Sequence, residues 1–159
     1  MSISDRIVVM KDGVVHQIGR PQDVYDDPAD LFVAKFLGTP PVNVFRGRIE
    51  SQQLYIGGEA VLQTPGVGNQ EVFVAIRPEG FVLNESGALT CELQRVEVMG
   101  RDVSIVCCHT DYENTTIRAI ISADNPVDTS SGKVRFDIKA HKLHIFDVEM
   151  QRRIYFNAR

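Results

Sequence analysis

The sequence has no tryptophan, only three cysteines among 159 residues, no long apolar run and no surplus of positive charge. Each shortage removes a class of protein. Cys91, Cys107 and Cys108 form an odd set without the paired spacing of a metal site. Neither a disulfide framework nor a structural metal is expected, and the thiols are read as buried small hydrophobes. No stretch approaches the roughly 18 apolar residues of a membrane span, and the first residues lack a basic region followed by an apolar run, so a cytoplasmic protein is expected. With 17 Lys and Arg against 21 Asp and Glu, the net charge is −4. That balance gives no general attraction to phosphate backbones, and the absence of Trp removes stacking platforms, so no nucleic-acid partner is expected.

What remains is the composition of a folded chain, 43% hydrophobic and 24% charged, long enough for one domain with an appendage. The first forty residues read as local structure with strong punctuation. Ile7-Val8-Val9-Met10 and Val14-Val15-His16-Gln17-Ile18 flank Lys11-Asp12-Gly13, and Asp-Gly is a strong signal for a tight hairpin turn. Pro21 suits the first turn of a helix, Asp27 before Pro28 reads as the cap of a second, and Gly38, Pro40 and Pro41 as stop signals. On the second helix Phe32, Val33, Phe36 and Leu37 make an apolar face that needs a cover. The unbroken apolar run 7–10 is the pattern of a strand covered on both faces in a larger sheet, so residues 5–38 read as the edge of a bigger domain.

From residue 44 the texture changes to short strand-like runs between turn signals such as Gly57-Gly58, Pro65-Gly66, Asn84-Glu85-Ser86-Gly87, Asp124-Asn125-Pro126 and Ser130-Ser131-Gly132. Nine strands are expected, at 44–50, 53–56, 60–63, 71–77, 89–99, 102–110, 115–121, 133–139 and 143–148. The alternation of Val134, Phe136 and Ile138 with Lys133, Arg135 and Asp137 is that of a half-buried strand. Nine short strands in about 115 residues predict a mainly β fold, a small barrel or a pair of barrel-like sheets.

Several of these stretches also carry a family likeness. Asp5 to Met10, Asp12-Gly13, Gln17-Ile18-Gly19, Pro21, Val24-Tyr25, Pro28-Ala29 and the run from Leu31 to Gly38 resemble, in order, the end of the nucleotide-binding domain of an ABC transporter ATPase. Downstream, Ile76-Arg77-Pro78-Glu79 resembles the family's IRPE element, Val98-Met99-Gly100 its turn between strands, and His144-Ile145-Phe146-Asp147 its closing HLFD element. Together they are similar to the carbohydrate-importer branch, of the maltose or glycerol-phosphate type. The resemblance implies residues 1–38 as the tail of the ATPase domain and 39–159 as an OB-like (TOBE) regulatory and dimerisation domain. Two positions depart from the pattern: Arg20 stands where a capping Thr is usual, and Val148-Glu149-Met150-Gln151 follows Asp147 in place of a Thr-Gly turn.

The sequence holds no G-x-x-x-x-G-K-[ST], no LSGGQ-like segment and no apolar strand ending in Asp-Glu, so nothing in it is expected to cradle ATP, hold magnesium or position water. The resemblance therefore implies a non-catalytic C-terminal part of a longer polypeptide, whose parent would bind ATP and magnesium while this part needs no cofactor. It further implies a homodimer through the regulatory domain, membrane permease subunits and a regulatory protein as the parent's partners, and a place at the inner face of the membrane. Arg77, Pro78, Glu79, Gly100, His144, Phe146 and Asp147 are the candidate regulatory or structural residues. Arg77 and Glu79 are read first as a buried ion pair and second as part of a partner surface.

Other chemistry is weighed against that reading. His141 with His144, and Cys108 with His109, could suggest a metal, but residues three apart on a strand face opposite sides. Gly66-Val67-Gly68 lacks the third glycine and following helix of a dinucleotide loop and reads as a turn. The sequons at 84–86 and 114–116 carry no meaning for a cytoplasmic chain. The alternative function is sensing of an oxyanion such as molybdate, for which Thr129-Ser130-Ser131-Gly132-Lys133 is the densest candidate.

Overall fold

The computed structural model describes residues 5–112, 116–124 and 126–157. Asn114 and Thr115, in the second sequon and at the start of the expected strand 115–121, lie outside that set, as does Asn125. The described chain is mainly β, about 52% strand and 12% helix, and consistent with an OB-like domain.

It opens with an antiparallel ribbon, β1 (Ile7–Lys11) and β2 (Val14–Gly19). Asp12 and Gly13 make its turn with φ of 51° and 78°, the left-handed pair that suits the strands' twist. The ribbon is not part of a larger sheet among the described residues, and only one face is covered. Val9 packs with Val24 and Val33. On the other face Val8 pairs with Ile18 and Met10 with Val15, all about half exposed.

Two six-residue helices follow, α1 (Pro21–Asp26) and α2 (Leu31–Phe36). Pro21 opens α1, and Arg20 gives it no side-chain cap. The cap of α2 is Asp30 rather than Asp27: Asp30 Oδ1 accepts from the Val33 N–H at 2.9 Å, and Oδ2 lies 2.6 Å from His16 Nδ1. Asp27 instead ends α1, where its carboxylate is free to face Arg153. The buried face of α2 also differs from expectation, being Leu31, Val33 and Ala34, with Phe36 59% exposed. Asp30→Ala should cost about 1–2 kcal/mol, read as a lower urea midpoint with unchanged slope.

Eleven strands follow among the described residues. The first sheet runs β13-β12-β6-β3-β4-β5 and the second β10-β9-β8-β11-β7. In the first are β3 (Asn43–Glu50), β4 (Gln53–Ile56), β5 (Glu59–Gln63), β6 (Gln70–Ile76), β12 (Leu143–Asp147) and β13 (Arg153–Ile154). In the second are β7 (Phe81–Leu83), β8 (Leu89–Met99), β9 (Asp102–Cys108), β10 (Ile117–Ser122) and β11 (Lys133–Ile138). All pairs are antiparallel. The nine expected strands are present within one or two residues; β7 and β13 are additional.

Inner faces of both sheets share one core, with Phe45, Ile49, Val74, Ile76 and Ile145 from one and Leu89, Ile105, Ile117 and Phe136 from the other. The first sheet has a second covered face. Val44, Ala75 and Phe146 pack outward against Leu31 and Ala34 of α2, so β12 is covered on both sides and Leu143 to Phe146 are buried without alternation.

Candidate functional site

Where β6 ends, the chain turns into a one-turn 3₁₀ segment, Pro78–Gly80, and at that corner Arg77 points back under the helices. Its side chain is 1% exposed. Nη1 donates to Ala34 O at 2.9 Å and to Leu37 O at 2.8 Å, while Nη2 donates to Tyr25 O at 2.9 Å. These are among the carbonyls a helix C-terminus leaves unsatisfied, and a cation is the favoured partner there. The guanidinium carbon also sits 3.9 Å from the centroid of the Tyr25 ring. One side chain thus ties the ends of α1 and α2 to the edge of the barrel. Burial lowers the Arg77 pKa, against the pull of Tyr25, Glu79 and Asp26.

Among the described residues the expected Arg77–Glu79 ion pair is absent. The two are joined through Tyr25, whose hydroxyl donates to Glu79 Oε1 at 2.5 Å. Burial raises the Tyr25 pKa, with the Glu79 carboxylate adding to it. Glu79 is pushed upward by burial, but the Tyr25 hydroxyl, a backbone N–H and Lys142 outweigh that and hold it below its ordinary value. Lys142 Nζ is 3.4 Å from Glu79, and Lys142 O accepts the Arg77 backbone N–H. The reason for the relay is local: buried Pro78 fixes the corner that turns Arg77 inward, leaving Glu79 on the outer side of Tyr25.

A second contact holds the other end of α2. Asp147, at the end of β12, accepts from the Met150 and Arg152 N–H groups, both at 2.7 Å, and the Gln151 N–H reaches Asp147 O. Gln151 takes φ 59° to close this turn, which answers how the chain manages without Thr-Gly. The turn then presents Gln151 O to the Leu31 N–H at 3.0 Å, and the Arg153 N–H donates to Ala29 O. Phe146, fully buried, lies under Leu31 and Ala34 between the two contacts. His144, one pair of residues back on the same face, is 3% exposed, and its Nδ1 has no hydrogen-bond partner among the described residues. Burial, then the charges of Arg153, Arg77 and Lys142, lower its pKa to about 3.

The candidate residues therefore converge, with one exception. Arg77, Pro78, Glu79, His144, Phe146 and Asp147 form a continuous clamp on the helical segment, while Gly100 lies elsewhere, in the two-residue turn between β8 and β9. Its φ of 67° is the conformation that favours glycine. Sequence reasoning missed Tyr25, Asp30, Lys142, Gln151 and Arg153 as members of the clamp. Tyr25 was visible within the Val24-Tyr25 pair, but Gln151 acts through a backbone carbonyl, and Asp30, Lys142 and Arg153 act through side chains whose partners lie far off in the sequence.

The rival chemistries fare differently. Ser130 N–H and Oγ both bond Asp128 Oδ1, at 2.9 and 2.6 Å, and Ser131 Oγ donates to Lys133 O, so both serine hydroxyls of the 129–133 stretch are engaged within their own loop. Among the described residues no group of three His, Cys, Asp or Glu is placed to hold a metal. Cys91 and Cys107 are buried, but Cys108 is only half-buried and faces Glu92 at 3.7 Å. The thiol of Cys91 is pushed up by that of Cys107 and then by burial.

No protein-family profile matches the chain. Curated relatives do. The sn-glycerol-3-phosphate import ATP-binding protein UgpC of Ruegeria sp. is 31% identical over 155 residues, covering 97% of this chain and 43% of its own length. The oligosaccharides import ATP-binding protein MsmX of Bacillus subtilis is 34% identical over 173 residues, covering 97% of this chain and 46% of its own. Over nearly its whole length this chain is similar to a part of each of these import ATP-binding proteins. It spans less than half the length of the relatives it matches. The two stretches Ile76–Glu79 and His144–Asp147 serve one helix, α2, at its opposite ends.

Proposed function

We propose that this chain is the regulatory and dimerisation region of the ATP-binding subunit of an ABC importer for sugars, polyols or glycerol phosphate, with no ATP hydrolysis of its own. The observation that carries the reading is the clamp. Arg77 grips the ends of both helices and the Asp147 turn receives the start of α2, so the segment with ATPase-like sequence, residues 1–38, is tied to the β region, residues 39–159, at two points. A regulatory domain must experience the states of the domain it regulates through contacts that differ between them, and this junction is where such a difference would be transmitted.

In this reading the parent subunit binds ATP and magnesium, works against permease subunits at the inner face of the membrane, and is held as a pair through the β regions, where a regulatory protein would also act. The fragment itself needs no cofactor and no nucleic acid. The chain alone should then associate. Light scattering over a dilution series should give a mass rising from the 17.8 kDa of one chain towards twice that value, and a constant monomer mass at the highest concentration would remove dimerisation from the proposal.

A further inference from the structure

Beside the clamp, the end of α1 and the strands β12 and β13 enclose a cleft of about 480 Å³. Asp26 and Asp27 stand exposed at its mouth, and Arg153 and His144 line it from the buried side. Arg153 is held on two sides: Nη1 donates to Asp27 Oδ1 at 2.7 Å and to Pro28 O at 3.2 Å, and the guanidinium lies 4.7 Å from the Tyr155 ring centroid. Its Nε–H is buried without an acceptor among the described residues, and so is Nδ1 of His144. Two unpartnered polar nitrogens from side chains of one cleft are unusual, because buried donors and acceptors are nearly always satisfied. Asp26 and Asp27 bring negative charge to the mouth of the cleft, while positive charge from Arg153, Arg77 and Lys142 acts on His144 at its buried side. Asp27 is the anion that answers it in this structure, but its side chain is 62% exposed, a position from which a carboxylate is easily exchanged for another anion.

We propose that this cleft binds the oxyanion of a small organic molecule, a phosphate ester or a carboxylate, which takes the place of Asp27 on Arg153 and is received by the His144 and His141 side of the cleft. Arg presents a planar fork suited to either group, and neutral His144 has one N–H and one lone pair to offer. Asp27 occupies Arg153 Nη1 in this structure, so binding and release of the α1 end from β13 are one event. A ligand there would loosen the end of α1 from the barrel close beside the Gln151–Leu31 contact. The inference stands on the geometry of the cleft and does not depend on the importer reading.

The test is a titration of the ¹⁵N-labelled chain at low ionic strength, followed by amide shifts, with inorganic phosphate, glycerol 3-phosphate and succinate as probes. Saturable shifts confined to residues 26–27, 141–144 and 153–157 are expected for at least one probe. The phosphate and succinate arms separate phosphate from carboxylate recognition. Asp27→Asn removes the competing carboxylate and should tighten binding by about threefold or more, whereas Arg153→Lys should weaken it about tenfold. Should Arg153→Lys fail to fold, Asp27→Asn decides alone, because that side chain is mostly in solvent. Absence of saturable shifts at these residues with all three probes, or an Asp27→Asn variant that binds no more tightly, overturns the proposal.

Discussion

Replacing Arg77 with Met should cost about 3–5 kcal/mol and should free the helices before it melts the barrel. The size follows from what is left behind. Three carbonyls, Ala34 O, Leu37 O and Tyr25 O, lose a charged donor inside a buried junction, and each hydrogen bond to a charged group is worth roughly 1.5–3 kcal/mol. The stack on Tyr25 adds about 1 kcal/mol, while the relieved desolvation of the guanidinium takes some of the total back. The direction is as informative as the size. Amide exchange should quicken at Val24, Val33 and Ala34 in Arg77→Met while Val74 and Ile105 stay protected. Arg77→Lys keeps the charge but not the fork, and should recover only part of the loss. A drop below about 1 kcal/mol, or uniform loss of protection, would show that Arg77 is not what holds the segment.

The second large effect is expected from pH through His144. In the folded chain its pKa is lowered to about 3 by burial and by the neighbouring cations, against about 6.5 in an unfolded chain. Between those values the unfolded state binds the proton and the folded state does not, so stability rises with pH. The contribution of His144 is therefore fully present above about pH 6.5 and is lost as pH falls towards 3. Each unit of difference is worth about 1.4 kcal/mol, so acidification from pH 6.5 to 4.5 should cost roughly 2–3 kcal/mol through this one group. Glu79 adds to the loss only at lower pH, because its lowered pKa makes it lose stability below the ordinary carboxylate range. Urea unfolding of the wild-type chain and His144→Gln across that window separates the two groups. The variant's curve should be flatter, and a parallel pair of curves would mean that His144 titrates normally in the folded chain.

Much of the β region is legible from side-chain pattern because each of its strands has one wet face or a recognisable turn. Asp12-Gly13 and Gly100 sit where a left-handed backbone is needed, and the alternation in β11 gives its inner face directly. Where reading fails, the deciding partner is distant or is backbone. The strands β7 and β13 have three and two residues, too few for any period. Asp27 and Asp30 are equally good capping residues, and the choice is made by His16, fourteen positions away, and by the C-terminal turn. The Arg77–Glu79 pairing looked reasonable because opposite charges stood two apart, but Pro78 sends them to different sides of Tyr25. The clamp itself was announced only by the family likeness of its two motifs; that they face each other across α2 is a fact of the fold, since Arg77 spends its donors on carbonyls some forty residues earlier.

The Asp147 turn also sets an order in time. The seat for the start of α2 is Gln151 O, and the tie on the end of α1 is Arg153, which meets Asp27 across 126 positions of sequence. Closing so long a loop is slow relative to forming a hairpin or a helical turn. During synthesis from the ribosome, residues 21–36 emerge more than a hundred positions before β12 and β13, the strands that complete their seat. They must wait as a marginal pair of short helices, with the apolar face of Leu31 and Ala34 open to water, until the barrel is nearly complete. Docking of the helical segment is thus a late step, and it reports that the β region behind it has closed.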